Sequence, residues 1–214
     1  MKSITRASTT IRSLLAGMFA MTVVSFALPV PPGKLPSSTE LESARKFDIL
    51  RTTYFSVARN QSDPGDGMKK LRELFPPDTS QSNSFNHISS TTACTAPSIL
   101  RSQEEKALYT SYCASFIAFA ARDSLWPLKK LNLANRSLAL LDGASAAAPK
   151  FIEVRALRLA VTHHLPFFFN RSEQATADLR WLKNRIAECK KDKTGDEHYC
   201  NIDKRVFALL DFMG

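Results

Sequence analysis

The chain has 214 residues, 44% of them hydrophobic, and its 29 Lys and Arg outnumber 20 Asp and Glu for a net charge of +9. That length supports one domain with a sizeable core. Seven glycines, one of them the C-terminal Gly214, leave little material for the close backbone approach that a phosphate-cradling loop requires.

Lys2, Arg6 and Arg12 precede an uncharged apolar run from Ser13 to Ala27 that closes on Ser25-Phe26-Ala27, the small-x-small pattern read by signal peptidase. Residues 1–27 therefore read as a secretory signal peptide. The run is shorter than the ~20 residues of a membrane-spanning helix, and the proline-rich Leu28-Pro29-Val30-Pro31-Pro32-Gly33 follows it; an uncleaved N-terminal anchor is the competing reading. Leu28, not cysteine, stands directly after the cleavage point, which argues against a lipoprotein. Trimming removes three positive charges and no negative one, leaving 187 residues at +6. The expected location is outside the cytoplasm, periplasmic in a Gram-negative source. There a basic surface meets anionic membrane, cell-wall polymer or an acidic partner sooner than nucleic acid. The bland alternative is a cationic surface that keeps the protein soluble.

Four cysteines, Cys94, Cys113, Cys189 and Cys200, all lie in the exported part, where an even number implies disulfides. Of the three possible pairings we expect Cys94–Cys113, pinning a long loop to the next helix, and Cys189–Cys200, closing the last turn. A metal site from Cys189, His198 and Cys200 lacks the paired C-x2-C spacing of strong zinc motifs, and no metal or cofactor is expected.

After an extended leader over residues 28–38, a single helical domain is expected over 39–214. Thr39 and Glu42 form a capping box for a helix carrying Leu41, Ala44, Phe47, Leu50, Tyr54 and Val57 on one stripe. Turn formers fill 60–67. A short basic helix from Met68 to Phe75 stops at Pro76-Pro77. Residues 78–97 read as a loop, with Phe85, His87 and Ile88 as its bulky members. Ser102 to Ser124 is apolar nearly all round between Lys106 and Arg122, as a buried central helix should be. Trp126-Pro127 ends it, and Leu128 to Leu141 follows with Leu131, Ala134, Leu138 and Leu141 inward.

The small-residue run from Gly143 to Pro149 reads as a turn, since proline starts helices but does not continue them. The next helix places Phe151, Val154, Leu157, Val161 and Leu165 on one face and Arg155, Arg158 and Thr162 on another. Phe167-Phe168-Phe169 is expected to plug the core, because exposed aromatics invite aggregation. Ser172 caps a helix to Lys190 striped with Ala175, Leu179, Leu182, Ile186 and Cys189, and a last helix spans about His198 to Met213. No segment alternates like a strand, so the fold is all-α, six or seven helices stacked as disulfide-stapled antiparallel hairpins.

Leu141-Asp142-x-Ala144-x4-Pro149, followed by Glu153-x-Arg155-x-Leu157-Arg158, resembles the second helix and linking turn of a tetratricopeptide-type repeat running into the next unit. The likeness covers roughly residues 128–185 and extends to small exported bacterial proteins with degenerate helical repeats. A shift by the repeat period of about 34 residues lands on Ser115 and Lys183 where prolines would be expected. The resemblance implies a short helical solenoid that binds another protein or a peptide on its concave face.

No established catalytic constellation is present: there is no G-x-S-x-G elbow, no H-E-x-x-H and no S-x-x-K set. His163 and His164, as helix neighbours, point about 100° apart and read as one boundary and one solvated histidine. Among Glu104, Glu105, Asp123 and Asp142, spacing singles out no acid–base pair; Asp142 reads as a turn cap, and Glu153 as the partner of Arg155, Arg158 or Lys150. The groove candidates are Tyr109, Tyr112, Arg155, Arg158 and Thr162. The expected function is a non-catalytic interaction module, an adaptor or chaperone-like component of an envelope or secretion system. The alternatives are an exported hydrolase acting on envelope polymers and a secreted effector or immunity-type protein.

Overall fold

Helix α1 (Ser38–Ala58) begins where Ser37 and Glu40 cap each other's backbone N–H groups in a computed structural model that describes residues 37–78 and 94–191. The box sits two residues before the expected one. Ser37 and Thr39 each have an acid three residues on; the chain uses Ser37, and Glu42 instead pairs with Lys46 at 2.7 Å. Beyond α1, Asn60 takes φ 57°, a left-handed turn that asparagine tolerates better than most residues. Helix α2 (Pro64–Leu74) starts earlier than its hydrophobic pattern suggests. Asp63 accepts from Gly65 N–H, and Pro64 occupies the first turn, where its missing donor costs nothing. Turn formers thus open a helix here.

Helix α3 (Gln103–Asp123) has a capping box of Ser102 with Glu105 and is buried on most sides. The buried hydroxyls of Ser111 and Ser115 donate to the carbonyls of Ala107 and Ser111, so their burial leaves no donor unmet. It contacts α1, α2, α4 (Pro127–Ala147) and α5 (Ile152–His163), which makes it the spine that its composition predicts. Helix α1 runs alongside it in the same direction, since Ser43 donates to Glu105 and Tyr54 meets Phe119.

Helix α4 returns antiparallel to α3, and Ser137 donates to the Ala114 carbonyl across the pair at 2.8 Å. It also runs through the small-residue segment expected to be a turn, ending only at Ala147. Alanine is the best helix former, and nothing before Pro149 forbids another turn and a half. Leu133, not Leu131, faces inward with Ala134, Leu138 and Leu141; Leu131 is exposed.

Helix α5 is joined to α6 (Ser172–Lys191) by a one-turn 3-10 segment, Phe167–Phe169, that ends on left-handed Asn170. The phenylalanines do not all plug the core. Phe169 packs against it, whereas Phe167 is 93% and Phe168 63% exposed, because a 3-10 turn spreads three successive side chains about 120° apart.

All regular structure among the described residues is helical. The large core gathers Phe47, Tyr54, Phe75, Tyr109, Tyr112 and Phe116 with aliphatic residues of α1 to α5. The expected Cys94–Cys113 disulfide is formed, with Cα atoms 5.6 Å apart, and ties the segment before α3 to the middle of that helix. A second, smaller cluster joins α5 and α6 through Ile152, Ala156, Leu159, Ala175 and Leu182. The expected signal peptide, most of the expected leader and 78–97 loop, the expected Cys189–Cys200 pairing and the expected last helix lie outside the described residues.

Candidate functional site

The outer face of the α3–α4 hairpin carries a shallow trough of about 220 Å³. Its floor is made by the small side chains of Ala107 and Ala144 and its rim by Gln103, Lys106, Ala139 and Gly143. A Cβ at Gly143 would meet nothing within 4 Å, so the trough is open along the α4 edge. Enclosed small-molecule sites usually measure about 300–1,000 Å³. This trough is shallower than those and takes a side chain or two.

Away from the trough, polar side chains of different helices pair with one another. Arg51 of α1 makes a two-pronged pair with Glu153 of α5, Nε to Oε1 and Nη2 to Oε2, both 2.8 Å. Tyr112 of α3 donates its hydroxyl to the same carboxylate. Burial pushes the Tyr112 phenol well above its ordinary pKa, and the Glu153 charge adds to the shift. Three helices therefore meet at one carboxylate.

A second cluster lies between α5 and α6. Asp178 is 1% exposed; it accepts from Arg155 Nη1 at 3.1 Å and from Arg158 Nε and Nη2, both at 2.7 Å. Arg155 also donates to the Pro149 carbonyl and stands 4.4 Å over the Trp181 ring. Asp142 of α4 closes the network with Arg158, Arg171 and Gln174. Burial opposes the Arg158 charge, but hydrogen bonds to Asp178 and the fields of Asp178 and Asp142 outweigh it and raise the guanidinium pKa. Buried ion pairs of this kind hold geometry more than they add net stability.

The residues expected to line a groove are placed as follows. Tyr109 and Tyr112 are buried; Tyr109 packs edge-on to Phe75. Thr162 is buried and donates to the carbonyls of Arg158 and Leu159. Arg155 and Arg158 share Asp178. The structure brings the two arginines and Thr162 onto α5 and leaves the tyrosines on α3 facing the core. Asp142 binds side chains, not turn N–H groups, and Glu153 pairs with Arg51, not with Arg155, Arg158 or Lys150. Both histidines are exposed and stack edge-to-face at 5.2 Å. Partial burial, and then the neighbouring His163, lower the His164 pKa. Glu105 caps α3, and Asp123 pairs with Arg122. No group of three metal-ligating side chains occurs among the described residues.

Two residues that the sequence reading missed left a signal. Asp178 falls inside the apolar stripe of α6, between Ala175 and Leu182, and Arg51 falls beside Leu50 in that of α1. A charge on a buried stripe announces a partner. Nothing comparable marks Gly143 or Ala139. No family model, curated protein or solved structure matches this chain.

Proposed function

We propose that this chain is an exported helical interaction module, an adaptor or chaperone-like component of the cell envelope. In this reading its stacked hairpins, in the manner of tetratricopeptide-type repeats, present a surface for a segment of another protein. The observation that carries the reading is the open trough on α3 and α4, floored by small residues and rimmed by Lys106, Gln103 and Gly143. Such a surface suits an extended peptide, which needs shallow side-chain niches along an accessible face. The half-buried arginines and the buried Tyr112 support that face by fixing α1, α3, α5 and α6 relative to each other.

The test fills the trough without disturbing the core. Ala139 is exposed on the rim, so Ala139→Trp should fold with an unchanged thermal midpoint. A protein recovered with the parent chain from envelope extracts should be lost, by about tenfold or more, with this variant. Equal recovery with both chains would count against the trough, and turnover of an envelope polymer by purified protein would favour the hydrolase reading instead.

A further inference from the structure

The turn between α3 and α4 carries Leu125, Trp126 and Leu128 at 95%, 76% and 78% exposure. Contiguous exposed apolar side chains on a folded chain mark a contact site, and these three stand on a convex turn, not in a groove. The turn is also cationic. Arg122 is offset by Asp123, but Lys129 and Lys130 are exposed on the first turn of α4 and no acid follows until Asp142. The α5–α6 turn, with exposed Phe167 and Phe168, opens toward the same end of the α4–α5 pair, because α5 runs back along α4.

We propose that this tip docks the protein on an anionic lipid surface. A convex apolar tip has no complementary niche for a folded partner but enters a fluid interface without one. Tryptophan partitions to the headgroup level, where its ring is half buried and its N–H stays hydrated. Lys129 and Lys130 meet the lipid phosphates at that depth. No helix among the described residues is long and apolar enough to cross a membrane, so docking through the tip is peripheral. The proposal does not depend on the trough, which lies toward the opposite end of the α3–α4 hairpin.

The experiment uses the full chain and takes the Trp126 signal as the difference between the parent chain and Trp126→Phe, because Trp181 also emits; the apolar N-terminal run holds no tryptophan and adds no signal of its own. Vesicles of phosphatidylcholine with and without phosphatidylglycerol, some carrying brominated chains, are titrated with the parent chain and with Trp126→Phe. A blue shift and bromine quenching on anionic vesicles, absent from Trp126→Phe because the remaining Trp181 packs against Arg155, is the expected result. Lys129→Glu with Lys130→Glu should weaken the Trp126 response by about tenfold or more, as should added salt. Three outcomes overturn the proposal: no Trp126 response on anionic vesicles, an equal response on neutral ones, or self-association through the tip that leaves vesicles unbound.

Discussion

Around α3 the interior is made of rings and aliphatic chains: Tyr54 meets Phe55, Tyr112 and Phe119, and Phe75 meets Phe47 and Tyr109, at centroid distances from 4.8 to 5.8 Å. Between α5 and α6 the apolar layer is thin, five buried residues, and much of the joint is Asp178 held by two arginines. Helix α5 belongs to both regions. It gives Val154, Leu157 and Val161 to the large core and Ile152, Ala156 and Leu159 to the small one. The contrast separates two ways of fixing a helix: the α3 region relies on shape, and the α6 joint relies on charges that are costly to bury unless each has its partner.

The sharpest way to break the first region without touching the second is alkali. Burial raises the pKa of Tyr54, moves Tyr109 up to about 12, and raises Tyr112 with help from Glu153. A phenol whose folded pKa lies above its unfolded value near 10.0 contributes its full stability below pH 10 and loses it as pH climbs toward the folded value. Each such tyrosine removes roughly 1.4 kcal/mol per pH unit in that window, so the three together outweigh the loss of any one side chain. Tyrosinate absorbance and loss of helical circular dichroism should rise in one step above pH 10. Ionisation of all four tyrosines at ordinary pH with helices intact would show that the ring cluster is open to water.

The α5–α6 joint should break through its carboxylate. Asp178→Ala leaves Arg155 and Arg158 facing a buried gap, and removing one partner of a buried pair costs about 3–5 kcal/mol. Chemical denaturation should register that loss, and hydrogen exchange should show α6 opening first. A loss below about 1 kcal/mol, the range of surface pairs, would mean that water already reaches Asp178.

On the core side, a single methyl tests the reliance on shape. A Cβ at Gly67 would lie 2.4 Å from Phe116 ring carbons, and Phe116 is fully buried. Gly67→Ala should therefore cost about 1–3 kcal/mol through overpacking, although alanine is the better helix former. An unchanged midpoint of denaturation would require α2 to move away from α3.

Much of this architecture was legible in the chain itself. The central helix announced itself by the charge-free run after Lys106, its start by Ser102, and the presence of a disulfide by an even cysteine count, with Cys94–Cys113 expected from the long loop it pins to that helix. Helix ends were harder to place, because competing caps differ by little: Ser37 and Thr39 both precede an acid, and Asp63-Pro64 reads equally as turn or helix start. Partners across the fold were not legible at all. Glu153 has Arg155 two residues away and Arg158 five away, yet its ligands are Arg51 and Tyr112, 102 and 41 residues distant, a choice that only the packing of α1 and α3 on α5 makes. The tyrosines look like groove residues in sequence because they share a helix face; burial against Phe75 and Tyr54 decides their place.

The smallest effect tests where α4 ends, and with it the floor of the trough. Gly143 lies inside α4, four residues before Ala147, on the exposed side where an added Cβ meets nothing within 4 Å. A helical, unobstructed glycine costs about 0.8–1 kcal/mol relative to alanine, so Gly143→Ala should stabilise the protein by about that amount and raise the melting temperature by about 2–4 °C. The sign discriminates between two descriptions of the segment. If the chain turned at Gly143, as its small-residue run first suggests, the glycine would serve a left-handed conformation and alanine there would destabilise. A raised melting temperature places residues 143–147 in the helix, keeps Ala144 on the trough floor, and leaves the trough open, since a methyl on its rim does not fill it.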